Sequence, residues 1–410
     1  MNHKIGLVGF GVVGQGYYQI AENDNKAYLP EHIVVKTKDK IRHRDIPFIF
    51  DIDHLIAESE IMIELISDTN VAFQIIKNLL IKGRKVITAN KKVVAAHLPE
   101  LIHLQKQHGG TLLYEAAVAA SIPILSNLQT QYQGDQITEI QGILNGSSNY
   151  ILSQIFINNL PFNEALALAQ AKGFAESDPS FDLNGSDVAS KLCIIIAHAF
   201  GEYYPEDTIP CFGIENLGDD EVELANELGL RIKLIATAQK IQDEIEAYIL
   251  PTLVELSNPL SDIEWEYNGI LISSDNLGEQ FYKGKGAGSL PTGAAVYSDL
   301  VKSIEGFKYT YPDTLTENQI CGLKSAKFNV ILRSSDFNDL NKLNLKQGQL
   351  LEINGAGWFV GEITSEYLLE QKQYFITKGI SLINLGNAIS TSQALKMLHG
   401  IKVSDVLTGL

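Results

Sequence analysis

The sequence KIGLVGFGVVGQGYYQIAEN, which runs from Lys4 to Asn23, decides the fold. Its apolar residues Ile5 to Val8 predict a β-strand, and the glycine-rich turn that follows leads into a helical pattern. In this context GxGxxG is a dinucleotide-binding fingerprint: Gly9 permits the tight turn, Gly11 lets the backbone approach a pyrophosphate, and Gly14 lets the helix pack closely. We predict that the turn and the helix N-terminus bind a nucleotide; a purely structural turn is the alternative.

Composition excludes several other classes of protein. The chain has 410 residues, is 45% hydrophobic and carries a net charge of -17 without a basic block, so nucleic acid and anionic membranes are poor partners. The three cysteines are too widely spaced to suggest a disulfide framework or a zinc site: Cys193, Cys211 and Cys321. We expect buried or incidental thiols in a reducing compartment.

Membrane insertion and secretion are not expected either. The longest apolar run, LCIIIAHAF, contains His198 and is far shorter than the ~18 residues of a membrane span. The N-terminus leads directly into a core strand, which leaves no room for a signal peptide. We therefore expect a soluble protein of the cytoplasm.

Residues 1–123 alternate short apolar runs with helical stretches, as a doubly wound α/β sheet does. Further strands are predicted in the segments IVVKT (33–37), EIMIELIS (60–67), KVITAN (85–90) and TLLYEAAV (111–118). The segments FQIIKNLLIKG and LPELIHLQKQHGG are amphipathic helices that glycine closes.

The end of the second strand indicates which nucleotide binds. An acidic residue usually stands there when the ribose 2′-OH is bound, but here Asp39 is the only acid among the basic residues Lys36, Lys38, Lys40 and Arg42. Basic groups suit a 2′-phosphate, so we expect NADP rather than NAD. A solvated basic loop is the alternative.

The pattern changes after residue 123. The segment ITEIQGILNGSSNYIL predicts a strand, a polar turn and the start of a helix. After it come a helix that ends at Gly173, a long polar loop over 173–187 and the nearly all-apolar helix 187–201. The tail reads as strand, poorly marked helix, hairpin, helix and strand, which resembles a βαββαβ module. We predict a Rossmann-type domain over 1–123 with a returning segment near 284–310, a mixed α/β domain over 124–322, and a C-terminal domain over 323–410.

The loop 173–187 carries the acids Glu176, Asp178, Asp182 and Asp187, and Lys191 follows Asp187 by one helical turn. Residues at i and i+4 share a helix face, so an ordinary surface ion pair is one reading. The rest of this helix is apolar, however, so Lys191 must find a polar cavity or a partner. Burial lowers the pKa of a lysine, so a buried lysine is a plausible proton donor. The acids do not match the spacing of an EF-hand calcium loop.

Three polar loops stand beside predicted strands or helices. They are TANKK (88–92), at the end of a strand where ligands bind in such sheets; LNGSSN (144–149), able to present backbone N–H groups to an anion; and KGKGAG (283–288), at a helix start. Each alone is an ordinary turn, but together with the Asp/Lys helix they suggest one shared cleft.

These segments closely resemble successive signatures of the homoserine dehydrogenase family. They are GFGVVG, TANK (88–91), YEAAVAASIPI (114–124), GILNGSSNYIL (142–152), GFAESDPSFDLNGSDVASKL (173–192) and GKGAGSLPTGAAVYSDL (284–300). The resemblance covers about the first three quarters of the chain and implies NAD(P)-dependent interconversion of L-aspartate 4-semialdehyde and L-homoserine, in threonine, methionine and isoleucine biosynthesis. It also implies that residues 124–322 form the catalytic and dimerisation domain, and that the protein is a homodimer or a higher homo-oligomer.

The resemblance further implies roles for particular residues. Lys191 and Asp187 would be catalytic, and Glu176, Asp182 and Lys191 would bind substrate. The cofactor residues would be Gly9, Phe10, Gly11, Val12, Val13, Gly14, Ser67, Lys91 and Gly288. A monovalent cation, usually sodium, would be bound by Glu115 and by the backbone carbonyls of Val118, Ala120 and Ile122.

This chain departs from the family pattern at several positions. Ala120-Ser121 stands where Gly-Gly is usual, and Phe174 replaces a tyrosine. The tail occupies the place of a ligand-sensing ACT domain but has Asp336 to Leu340 instead of the usual proline–glycine turn. We therefore expect a degenerate ACT-like tail without threonine inhibition.

Two other functions fit parts of the pattern. Another semialdehyde dehydrogenase on the same scaffold would need a catalytic cysteine beside the cofactor, whereas Cys193 lies within the apolar helix. A non-catalytic NADP-sensing regulatory protein would keep the glycines but lose the Asp/Lys pair, and this chain has both.

Overall fold

The computed structural model describes residues 3–24, 28–36, 46, 48–49, 51–312, 315 and 323–408, with the backbone alone for 401–408. The chain divides into two compact units. The first consists of Met1–Gln136, Ser190–Glu206 and Gly284–Gly322, and the second of Ile137–Ala189, Asp207–Lys283 and Leu323–Leu410. The segment that begins at Gly284 thus belongs to the unit that carries the glycine-rich turn, while the three-domain division stays a prediction.

The first unit contains a six-stranded sheet in the order β3-β2-β1-β4-β5-β6, in which neighbouring strands are parallel. Its strands are β1 (Ile5–Val8), β2 (His32–Val34), β3 (Phe48–Ile49), β4 (Ile61–Glu64), β5 (Lys85–Thr88) and β6 (Thr111–Leu113). This is the strand order of the doubly wound dinucleotide-binding fold. The predicted α/β fold class is confirmed.

The second unit is built on a nine-stranded sheet in the order β11-β10-β7-β8-β9-β15-β12-β14-β13. Its strands are β7 (Ile137–Ile143), β8 (Leu230–Ile241), β9 (Glu244–Glu255), β10 (Tyr267–Ser274), β11 (Gly278–Lys285), β12 (Lys327–Ser334), β13 (Gln347–Ile353), β14 (Ala356–Thr364) and β15 (Ser381–Asn384). β9 pairs in parallel with β15, and this pairing makes the tail part of the same sheet.

Fourteen α-helices occur in the described part of the chain. They are α1 (Val12–Asn23), α2 (Ile52–Glu58), α3 (Thr69–Ile81), α4 (Lys91–His108), α5 (Ile124–Thr130), α6 (Gly146–Asn158), α7 (Phe162–Ala171), α8 (Ser180–Leu183), α9 (Ser186–Phe200), α10 (Asp219–Glu227), α11 (Ser289–Ile304), α12 (Phe337–Asn341), α13 (Ser365–Lys378) and α14 (Thr391–Thr408). No described helix is both long and apolar enough to cross a bilayer.

Most predicted elements are present, and local signals explain them. Gly173, just after α7, has a φ of 77°, the left-handed conformation that ends helices. The tail follows the predicted order of strand, helix, hairpin, helix and strand, and α14 follows it. The predicted strand 33–37 ends at Val34, and Thr37 lies outside the described residues.

Two predictions were wrong in part. The strand predicted over 111–118 ends at Leu113, because Glu115 begins a 3₁₀ turn whose buried carboxylate accepts the N–H groups of Leu125 and Ser126. The loop 173–187 contains the short helix α8, whose first residue Ser180 donates its N–H and hydroxyl to a carboxylate oxygen of Asp178.

Each unit has its own apolar core. In the first unit, β-branched strand residues such as Ile5, Ile63 and Ile87 pack against Tyr17 of α1 and Val296 of α11. In the second unit, the core under the tail combines Phe328, Phe359 and Phe375 with Phe212 and Leu250 from outside the tail. The tail therefore shares its core with the rest of the second unit.

Candidate active site

The glycine-rich turn after β1 has the shape that a nucleotide diphosphate requires. Gly9 has a φ of 96°, and a Cβ built on it would lie 2.5 Å from the carbonyl oxygen of Leu65. A Cβ on Gly14 would lie 2.5 Å from the carbonyl oxygen of Gly9, whereas one on Gly11 would meet nothing within 4 Å. Gly9 and Gly14 are thus required by packing, and Gly11 leaves the space in front of the turn open for a ligand.

The N-terminus of α1 is available to an anion. Its N-cap residue, Gly11, has no side chain to accept a first-turn N–H, and Val12 in the first turn is 65% exposed. Phe10, by contrast, is buried against Tyr18 and Phe48, with ring centroids 5.7 and 5.3 Å away. The predicted contribution of Phe10 to nucleotide binding is therefore limited to its backbone.

A second helix begins beside this turn. The hydroxyl of Ser289, the first residue of α11, donates to the carbonyl oxygen of Val12 at 2.7 Å. Gly288 before it has a φ of 113°, and a Cβ on Gly16 of α1 would lie 2.0 Å from the carbonyl oxygen of Ser289. The N-terminus of α11 therefore lies next to the first turn of α1, and helix N-termini favour anions such as a diphosphate.

Glycines on both helices permit this contact. A Cβ on Gly293 of α11 would lie 2.5 Å from the backbone nitrogen of Tyr17, next to Gly16. The sequence analysis did not identify this crossing. Gly16 and Gly293 could have indicated it, because a glycine inside a helix lowers the stability of the helix and is expected where a close contact requires it.

The carboxyl ends of β4 and β5 are joined by the buried carboxylate of Glu64. It accepts hydrogen bonds from the N–H of Ile66 at 2.7 Å and from the hydroxyl of Thr88 at 2.6 Å. Burial raises the pKa of Glu64 to about 7, against the opposing effect of these two hydrogen bonds. The loops that carry the predicted residues Ser67, which is exposed, and Lys91, the first residue of α4, start from these strand ends.

The second unit brings two of the predicted acids together. The side-chain amide nitrogen of Asn145 donates to a carboxylate oxygen of Asp182 at 2.8 Å and to one of Asp187 at 2.9 Å. Asp187 is 3% exposed, whereas Asp182 is half-buried. The sequence analysis did not assign Asn145 this role.

In the loop over 144–149, predicted to present backbone N–H groups to an anion, the N–H of Ser148 already has a partner inside the protein. Asn145 caps α6, and its side-chain oxygen accepts the N–H of Ser148 at 2.8 Å. A Cβ on Gly146 would lie 2.8 Å from the carbonyl oxygen of Glu266. The start of α6 is capped from within the protein, because an asparagine at this position satisfies its own helix.

Two further predicted residues, Glu176 and Lys191, lie before and after the acid pair in sequence. Lys191 is one turn beyond Asp187 on α9 and only 7% exposed, as expected for a lysine on an apolar helix. Glu176 is exposed, and its backbone carbonyl accepts a hydrogen bond from the side chain of Gln170 at 3.0 Å. The carboxylate of Glu176 therefore faces solvent in this structure.

The segment predicted to hold a cation is buried in the first unit. Ala120 has a φ of 45°, so its backbone has the left-handed conformation in spite of its side chain, at a cost of roughly 1–2 kcal/mol. The carboxylate of Glu115 accepts the N–H groups of Leu125 and Ser126, at 2.7 and 2.8 Å, and lies 3.8 Å from the ammonium of Lys302.

These contacts show whether the carboxylate of Glu115 is available to a cation. The two carboxylate oxygens of Glu115 are already occupied by hydrogen bonds from Leu125 and Ser126. Among the described residues, no group of three or more histidine, cysteine or acidic side chains is arranged to hold a metal.

The described cysteines are not placed for catalysis. Cys193, in α9, and Cys211 are both buried and free of disulfides. Cys321 lies outside the described residues. The two described thiols give no support to a thioester mechanism.

Comparisons with known proteins agree with these features. A family model described as the NAD-binding domain of homoserine dehydrogenase matches residues 9–115, and one described as homoserine dehydrogenase matches residues 123–301. The homoserine dehydrogenase of Lactococcus lactis is 35% identical over 320 residues, which are 74% of this chain and 75% of the relative. That of Synechocystis is 34% identical over 319 residues, 74% of each chain.

Solved structures extend the similarity to almost the whole chain. The crystal structure of a homoserine dehydrogenase from Thiobacillus denitrificans has a TM-score of 0.79 and 26% identity, and the match covers 94% of this chain and 99% of that one. A hyperthermophilic archaeal homoserine dehydrogenase in complex with NADPH has a TM-score of 0.65 and 25% identity, with 75% of this chain and 99% of that one covered. These similarities show that the chain belongs to the homoserine dehydrogenase family, whose members are NAD(P)-dependent oxidoreductases.

Proposed function

We propose that this protein catalyses the reversible, NADPH-dependent reduction of L-aspartate 4-semialdehyde to L-homoserine, with Lys191 as the proton donor. The observation that carries the proposal is the position of Lys191, 7% exposed on an apolar helix, one turn beyond an acid whose carboxylate is fixed by Asn145. A buried ammonium with a fixed neighbouring carboxylate suits proton transfer to a single atom.

The bound nicotinamide supplies the hydride that the aldehyde carbon receives. The aldehyde oxygen then gains negative charge, and Lys191 donates its proton to that oxygen. Because Lys191 extends from a buried helix, the ammonium has few rotamers available and little competing water. Homoserine oxidation uses the same group in reverse, with neutral Lys191 accepting the hydroxyl proton.

The acids bind and orient the amino-acid part of the substrate. Glu176 would hold the substrate ammonium; its exposure keeps it available to a ligand that enters from solvent. Asp187 would orient Lys191 or accept the substrate hydroxyl, and Asp182 would complete the negative end of the site. One amide nitrogen holds both aspartates, a preorganised arrangement that supports these roles.

The cofactor would be bound by the backbone of residues 9–14 and by Ser67, Lys91 and Gly288. We infer a preference for NADP because Lys36, two residues after β2, is exposed where a 2′-phosphate would lie. Asp39 and the other basic residues of that loop, Lys38, Lys40 and Arg42, lie outside the described residues.

Three further parts of the proposal rest on the family. A monovalent cation, sodium by preference, fits the backbone carbonyls of the predicted segment better than the carboxylate of Glu115, which Lys302 already neutralises. The enzyme would act in the cytoplasm as a homodimer or a higher oligomer. Its product would supply threonine, methionine and isoleucine biosynthesis.

A cofactor oxidation assay tests the proposal. NADPH oxidation should depend on added aspartate semialdehyde and should be slower with NADH at the same concentration. Lys191→Ala should lower kcat by about 10²–10⁴ because the general acid is lost, with NADP affinity unchanged. Lys82→Ala, at an exposed lysine, is the control and should behave as wild type.

The outcome also separates the alternatives. If Lys191→Ala retains more than a tenth of the wild-type kcat, Lys191 is not the proton donor. A wild-type chain that binds NADP but turns over in neither direction would be a nucleotide sensor. Both alternatives, a sensor and another semialdehyde dehydrogenase, are less favoured because the homologues are homoserine dehydrogenases and the described cysteines are buried.

A further inference from the structure

We propose that Asn145 is a positioning residue for the reaction: it holds Asp182 and Asp187 as one fixed pair of carboxylates. This inference rests on the proposed function, because it concerns the geometry of the acids that act there. Asn145 is 4% exposed and lies 37 residues before Asp182 and 42 before Asp187, so neither contact follows from the local sequence.

The orientation of the Asn145 amide is set by the helix that it caps. Its oxygen accepts the N–H of Ser148 at 2.8 Å, and its nitrogen therefore points to the other side. A flipped amide would place NH₂ against the N–H of Ser148 and an oxygen against two carboxylates. Both contacts would be repulsive, so the network permits one orientation.

Both hydrogens of the amide nitrogen are then used on carboxylates, one on Asp182 and one on Asp187. The amide is neutral, so it fixes the two acids without cancelling their charge. Two carboxylates held at one nitrogen form a local negative site. Such a site favours an ammonium group, either that of Lys191 or that of the substrate.

The turn between the two acids is also fixed, so the pair has little freedom to adjust by itself. Gly185 has a φ of 84°, and a Cβ on it would lie 2.7 Å from the sulfur of Cys211. The N–H of Ile214 donates to the carbonyl of Leu183 at 2.8 Å. With the backbone constrained on this side, the Asn145 amide sets the final positions of the carboxylates.

Two substitutions separate positioning from helix capping. Asn145→Ser and Asn145→Asp both keep a good N-cap acceptor for α6. The Tm of Asn145→Ser should stay close to that of wild type, whereas Asn145→Asp should lower Tm because it buries a third carboxylate beside two others. Serine removes the two amide donors, and aspartate replaces them with a third carboxylate. We expect kcat/KM for homoserine to fall about 10- to 100-fold in Asn145→Ser, since small displacements of catalytic groups have effects of this size.

Asn145→Asp should be the more severe of the two, although aspartate caps helices as well as serine does. Added negative charge disfavours deprotonation of neighbouring groups, so both limbs of its pH–rate profile should move to higher pH. The affinity for NADP should be unchanged in both variants.

Asn258→Ser is the matched control. Asn258 also lies in the second unit and accepts the N–H of Leu260 as a cap, but it contacts neither acid. Its kinetics and pH profile should match those of wild type. If kcat/KM of both Asn145→Ser and Asn145→Asp stays within twofold of wild type and the pH profile does not move, Asn145 is only a helix cap. A wild-type enzyme without turnover would instead refute the proposed function.

Discussion

Glu64 is a buried acid that the reaction itself does not use, yet it organises the loops after β4 and β5. Its two oxygens accept from Ile66 and Thr88, and the hydroxyl oxygen of Thr88 in turn accepts the N–H of Asn90 at 2.9 Å. Asn90 caps α4, whose first residue is Lys91. One carboxyl group therefore supports the position of a residue proposed to bind the cofactor.

The raised pKa of Glu64 should make the stability of the protein depend on pH. Its pKa is about 7 in the folded chain and 4.5 for the unperturbed group. Between these values the folded state binds more protons than the unfolded state, so the contribution of Glu64 to the free energy of unfolding falls as pH rises. The total decrease is about 3 kcal/mol.

Glu64→Gln, which keeps the shape but does not titrate, should remove this dependence. Denaturant unfolding of both proteins from pH 4.5 to above 7 measures the difference. His198, whose pKa burial lowers to about 3, has the opposite slope, but it is present in both chains and cancels. If the free energy of unfolding changes with pH in the same way in both proteins, the prediction is wrong.

Glu176→Gln should raise the KM for homoserine by about 10- to 100-fold, because one charge facing the substrate ammonium is removed. Steady-state kinetics and an NADP titration together measure the effect. Glu164→Gln, at an exposed glutamate of α7, is the control. Equal losses of homoserine and nucleotide binding would indicate misfolding rather than a lost contact.

At the scale of elements, the contact between α1 and α11 connects packing with nucleotide binding. Gly16 and Gly293 allow the two backbones to approach, and Ser289 then reaches the first turn of α1. The glycine-rich turn is thus supported by a helix that starts 277 residues further along the chain.

Gly293→Ala should destabilise the protein by about 1–3 kcal/mol, because its methyl group would overlap the backbone of Gly16 and Tyr17. NADP affinity should fall as well, since moving α11 displaces Ser289 from Val12. Thermal unfolding and nucleotide titration measure both effects. Ala294→Ser, at the exposed neighbouring position, should change neither; a stable Gly293→Ala protein with full NADP affinity would contradict the interpretation.

At the scale of the whole molecule, the tail belongs to the nine-stranded sheet of the second unit through the pairing of β15 with β9. Truncation near Leu323 would remove this pairing and uncover Phe212 and Leu250 of the shared core. Regulation by the tail is therefore best tested in the complete chain.

We expect no inhibition by threonine. The backbone N–H groups of 337–339, where a sensing turn would bind an amino acid, all have partners inside the tail. Phe337 donates to the carbonyl of Gly355, Asn338 to the side chain of Asp336, and Asp339 to the carbonyl of Asp336. Millimolar threonine should leave NADPH oxidation unchanged, as should alanine, the control. Threonine inhibition that is not competitive with homoserine would contradict this expectation.

The sequence by itself determined the nucleotide-binding unit and the candidate acids. Local patterns of apolar residues and glycines predict structure that depends on neighbouring residues. Examples are strand β1, the turn at Gly9 and the helix end at Gly173. The apolar face of α9 likewise made Lys191 conspicuous before its burial was known.

Only the tertiary structure decided which distant groups meet. The sequence predicts Asn145 as part of a polar turn, and its contact with Asp182 and Asp187 depends on how α6 packs near α8. The strand predicted through Glu115 ends early because that carboxylate is needed by Leu125 and Ser126. Local periodicity cannot report such contacts, since a buried polar group takes its partner from whatever the fold brings near it.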